Sequence, residues 1–123
     1  MTLSHASAAH IARCLEKLTA LHATRGDLAD YPGAEVFRSS TLVEIIEGRF
    51  IVQYWRRADG TVSVDVRLAA GMVSRADREA LLSLWEETAG ALNLRRPQGS
   101  AVPSAAEFLA RSRGAGVLHL TSD

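Results

Sequence analysis

The chain has 123 residues, enough for one domain with a real hydrophobic core, and 47% of them are hydrophobic. Its 14 basic and 14 acidic residues cancel, which argues against a partner recognised mainly by charge, such as duplex nucleic acid. The single cysteine, Cys14, excludes an intramolecular disulfide and fits a reducing compartment. The N-terminal residues have no basic start followed by an apolar run, and no apolar stretch approaches membrane-spanning length. The expected location is cytoplasmic, with no membrane partner.

The first predicted element is a helix from Ser4 or Ser7, either of which can cap it, to about Thr24. Ala8, Ile11, Leu15, Leu18 and His22 repeat at helical spacing, and Cys14 and Leu21 widen the stripe. Gly26 follows the last turn, where glycine closes a helix most easily. Residues 27–33 form a connector, with Tyr31-Pro32-Gly33 suited to a turn. Residues 34–39 are either a separate edge strand or, the reading preferred here, the start of one long bent strand that kinks at Ser39-Ser40.

Residues 41–68 organise the rest of the chain, reading as three strands joined by two tight turns. Val62, Val64, Val66 and Leu68 alternate with polar residues, the period of a half-buried strand. A three-residue loop, Ala58-Asp59-Gly60, sets Phe50, Val52 and Tyr54 opposite Leu68, Val66 and Val64 and so makes one apolar face. A two-residue loop would slip the register by one and bury Gln53 beside Val66. A turn at Glu47-Gly48 is expected to place Ile45 opposite Phe50 and Val43 opposite Val52.

That arrangement leaves Leu42, Ile46, Ile51 and Trp55 on the second face, among Glu44, Arg49, Gln53 and Arg67. A few apolar anchors in a polar field are typical of an interface. The expected partner-binding set is therefore Leu42, Ile46, Arg49, Ile51, Gln53, Trp55 and Arg67.

Ser74 and Asp77 form a capping box that opens a second helix running to about Leu92. Leu81, Leu84, Trp85, Thr88 and Leu92 form its apolar stripe, while Asp77, Arg78, Glu86 and Glu87 are expected in water. Residues 97–103 read as a linker. Ser104 and Glu107 then cap a short third helix through Arg113, and residues 117–121 read as a last strand. The chain thus divides into a core at residues 1–98 and a semi-independent C-terminal helix and strand at 99–123, packed on the same domain. The fold class is α+β: an antiparallel sheet of three to five strands in the order α-β-β-β-α, both long helices on one face, with the short C-terminal helix and strand after it.

No motif carries a specific chemistry. His10 and Cys14 have a spacing that can supply two metal ligands, but His22 lies about 12 Å along the axis from Cys14 and cannot complete their site. A small apolar thiol beside a marginal histidine is the commoner arrangement, and no metal or cofactor is expected. Glu44 and Asp65 could share the second face, and a pocket holding them with a histidine would favour an enzyme. Arg49, Arg56, Arg57, Arg95, Arg96, Arg111 and Arg113, with Tyr54 and Trp55, could form an RNA-facing patch. Balanced acidic residues make a solvated surface the plainer reading.

The element order of residues 5–92 is similar to that of the double-stranded-RNA-binding domain. Where that family carries a lysine cluster, this chain has Ser74-Arg75-Ala76-Asp77-Arg78, so RNA binding does not carry over. The helix–sheet–helix layout with further elements also resembles bacterial type III secretion chaperones, dimers that bind an unfolded segment, in layout and without any shared motif. The expected function is a non-enzymatic protein-binding module of bacterial type (chaperone, inhibitor, immunity protein or adaptor) acting as a homodimer. The alternatives are a small RNA- or DNA-associated module and, third, a small enzyme.

Overall fold

The computed structural model describes residues 3–71, 73–97 and 116–122. Its elements are α1 (His5–Ala23), β1 (Glu35–Phe37), β2 (Ser40–Glu47), β3 (Phe50–Arg57), β4 (Val62–Leu68), α2 (Arg75–Leu92) and β5 (Leu118–Thr121). The fold is α+β, with one antiparallel sheet of five strands in the order β1-β2-β3-β4-β5. The expected third helix and linker lie outside the described residues.

Both helices begin where their capping residues stand. Ser4 accepts the Ser7 N–H at the start of α1. Ser74 and Asp77 close a reciprocal box at α2, satisfying two N–H groups that would otherwise have no partner. Asn93 ends α2 in the left-handed conformation, at φ 53°.

The helices touch each other and cover one face of the sheet, α1 over β2 and β3, α2 over β4 and β5. Ile11, Cys14, Leu18 and Leu21 of α1 are buried there, whereas Ala8 and His22 sit at the margin of the stripe. From α2 come Leu81, Leu84, Trp85, Thr88 and Leu92. The sheet contributes Val43 and Ile45, then Phe50, Val52 and Tyr54, then Val62, Val64 and Val66, then Leu118 and Leu120. One expected wet residue is dry: Arg78 of α2 is only 8% exposed.

The β3–β4 register is the one alternation predicts, with Phe50 opposite Leu68, Val52 opposite Val66 and Tyr54 opposite Val64. Gly60 closes the three-residue loop at φ +89°, a left-handed conformation that costs glycine nothing. The β2–β3 turn departs from expectation by two residues. Glu47 pairs with Phe50, and Ile45 with Val52, around a Gly48-Arg49 turn. A shift of two preserves which face each side chain occupies, so the core face is as expected while every cross-strand neighbour changes. The turn sits here because Gly48 adopts φ +56° and because a Cβ on it would lie 2.5 Å from the His10 ring. Glu47, freed to end β2, accepts from Lys17 and from Arg13 at 3.0 Å and ties α1 to the sheet. Those two cations hold its carboxyl below the usual range.

One further expectation is corrected. Residues 35–37 are a separate strand, because Arg38 takes φ 53° and turns the chain into a hairpin with Phe37 opposite Ser40. Four strands, not three, therefore separate the two long helices. The last strand, β5, docks on β4 of the main sheet: Leu120 pairs with Val64 and Leu118 with Val66, and both leucines enter the core.

Candidate functional site: the outer face of the sheet

Residues alternating with the core set point to the sheet's other face. Cross-strand register arranges them in rows. Phe37, Ser40 and Arg57 form one, Leu42, Trp55, Ser63 and Thr121 the next, and Glu44, Gln53, Asp65 and His119 the third. Ile46, Ile51 and Arg67 form the last. Six of the seven expected partner-binding residues therefore share this face: Leu42, Ile46, Ile51, Gln53, Trp55 and Arg67.

Arg49 does not join them. The shifted turn aims it toward α2, where it donates to Asp77 at 2.7 Å, bracing the carboxylate that caps that helix. The six also differ in availability. Ile46 is 60% exposed and Arg67 exposed, whereas Ile51, Gln53 and Trp55 are half-buried. Leu42 is buried although it lies outside the main core cluster. Phe37, unanticipated, is 48% exposed and lies 5.7 Å from the Trp55 ring, tilted against it.

The third row is polar from edge to edge. Gln53 donates to Glu44 at 3.1 Å, and Asp65 holds His119 Nδ1 at 2.6 Å. Sequence places Asp65 on this face but not His119 beside it, since the pair is separated by 54 positions. The alternation of Leu118 and Leu120 marks His119 as outward-facing; its neighbour depends on where β5 docks. The carboxylate orients the ring and leaves Nε2 facing away from it, the usual arrangement of a positioned imidazole. Two open cavities lie along this region, of about 480 Å³ and 450 Å³, and both are lined by Arg57, Ser63 and Asp65.

The other candidate chemistry is dispersed. His10 Nδ1 lies 2.8 Å from Arg13 Nη2 and so accepts from it, which occupies one of its two ring nitrogens. Cys14 is fully buried, and burial above all pushes its thiol up to about 11, so it stays protonated. Among the described residues no group of three or more potential ligands could hold a metal. Among the described candidate arginines, Arg57 and Arg95 line one cavity while three others turn to partners within the chain. Arg49 pairs with Asp77, Arg56 binds carbonyls at the end of α1, and Arg96 stacks over Trp85 at 4.6 Å. Arg111 and Arg113 lie outside the described residues.

No helix among the described residues is long and apolar enough to cross a membrane. Comparison with protein-family models, with curated proteins and with solved structures returned no significant match.

Proposed function

We propose that this protein is a non-enzymatic protein-binding module of bacterial type, a chaperone, inhibitor, immunity protein or adaptor, that works as a homodimer through the outer face of its sheet. One observation carries the reading: Phe37, Trp55, Ile51 and Ile46 keep exposed or half-exposed apolar surface there, while the opposite face is filled by two helices. Aromatic and aliphatic anchors amid Glu44, Gln53 and Arg67 have the composition of an interface core and its polar rim. The nucleic-acid alternative has less support, because Arg49, Arg56 and Arg96 already have partners within the chain.

Light scattering after gel filtration tests this reading. The wild type is expected at twice the mass of one chain. Ile46→Arg, at a position already in water, is expected to give a folded monomer. A monomeric wild type overturns the dimer, and an Ile46→Arg protein that stays dimeric moves the interface elsewhere.

A further inference from the structure

The two cavities on the outer face share three lining residues and so adjoin as neighbouring parts of a groove. At one end are Arg95, His119 and Thr121; at the other are Trp55 and Ser40; Arg57, Ser63 and Asp65 lie between. Each cavity is of a size to take a small ligand, within the range of about 300–1,000 Å³.

The Arg57 guanidinium donates to the Thr61 hydroxyl at 3.2 Å and lies near enough to Asp59 to favour its carboxylate, but among the described residues it makes no ion pair. A guanidinium presenting its fork in a groove matches a planar or tetrahedral oxyanion. Asp65 is the one acid in the lining among the described residues, and it is occupied by His119. That bond fixes the ring with its Nδ1 proton directed at Asp65, so Nε2 accepts in the neutral ring and becomes a charged donor only in the imidazolium. Ser63 supplies a hydroxyl between them. The indole of Trp55, opposite Ser63 in the register, forms a flat apolar wall two positions from Arg57 along β3.

We infer that this groove binds a small organic oxyanion, a carboxylate or phosphate carried on a flat apolar group. Arg57 and, as the imidazolium, His119 hold the anion, and Trp55 lies against the apolar part. The groove shares Trp55 with the proposed interface but not Ile46 or Ile51, and ligand titration is read separately from oligomeric mass, so failure of one reading is distinguishable from failure of the other.

Phenyl phosphate, benzoate and uncharged benzyl alcohol are suitable probes, titrated into the full chain while amide and indole NMR shifts are followed. The expected result is a saturable shift at Trp55, Ser63, Asp65 and His119 with one or both anions and none with benzyl alcohol; the stronger anion identifies the head group. Arg57→Gln and His119→Gln each weaken binding, the former by about tenfold or more, as loss of a charge-assisted hydrogen bond requires. Both side chains are solvent-accessible, so the variants keep the wild-type fold, which an unchanged unfolding midpoint verifies; Arg57→Gln also leaves the oligomeric mass unchanged. Absence of a saturable shift with either anion, equal binding of benzyl alcohol, or full affinity in folded Arg57→Gln overturns the site.

Discussion

Tyr54 is fully buried, yet its hydroxyl joins two polar side chains. Arg56 Nη2 donates to it at 3.0 Å, and it lies 3.0 Å from His22 Nδ1. Arg56 donates to the phenol oxygen, which bonds His22 Nδ1 as donor or acceptor according to the ring's tautomer. Burial, followed by the nearby Arg56 charge, lowers the pKa of His22 below its ordinary 6.5. In the window between the lowered folded value and 6.5 the unfolded chain binds more protons, so stability rises with pH there. The contribution is complete above about pH 6.5 and is lost as pH falls through the folded value. Thermal unfolding at pH 7.5 and pH 5.5 is expected to show a smaller acid loss in His22→Gln than in the wild type. An equal loss in both removes His22 as the acid-sensitive group.

At the scale of elements, the end of α1 is finished from outside the helix. The last carbonyls of a helix have no partner within it and carry the negative end of its dipole. Arg56, reaching up from β3, donates to Thr24 O at 2.8 Å and to Leu21 O at 2.9 Å. Removing these charge-assisted bonds while keeping the apolar stem is expected to cost about 2 kcal/mol in Arg56→Met, measured by urea unfolding. A cost near zero shows that water replaces the guanidinium there. Nothing in the sequence marks Arg56 for this task, because the contact depends on where α1 crosses the sheet. The strands were more legible. Val62, Val64 and Val66 alternate over enough residues that only one register hides them all, and Gly60 accepts the loop which that register needs. β1 is three residues long, with no apolar alternation to read, and its turn uses Arg38 where glycine would have announced it. The outer-face residues of β2 and β3 were recognisable from parity, which a two-residue slip leaves intact. Arg49 was not, because a turn residue has no parity to inherit.

For the molecule as a whole, the decisive fact is how the sheet ends. β5 closes the β4 side, and its own outer edge is closed in turn: Arg95 and Thr121 exchange backbone bonds at 2.9 and 2.8 Å, and the Trp85 indole donates to His119 O at 3.1 Å. Such covering removes the unpaired row of N–H and C=O groups through which sheets aggregate. A semi-independent C-terminal unit would come away and leave a folded remainder. An integral β5 cannot. Its loss uncovers Val64 and Val66, both fully buried, and removes Leu118 and Leu120 from the core. Two buried leucines stabilise by about 3–6 kcal/mol together, a large share of the about 5–15 kcal/mol that holds a typical domain folded. The β4 edge would then present an alternating apolar strand with open backbone groups and no charge on its core side. A chain truncated after residue 115 is therefore expected to aggregate, seen as high-mass scattering, while Leu120→Ala in the full chain stays soluble and loses about 2–5 kcal/mol. The pair of variants separates the two effects of β5, because the point substitution keeps the edge covered and removes only packing. A truncated protein that is soluble, monomeric and as thermostable as the wild type would mean that β4 does not depend on β5, and that the sheet ends at β4.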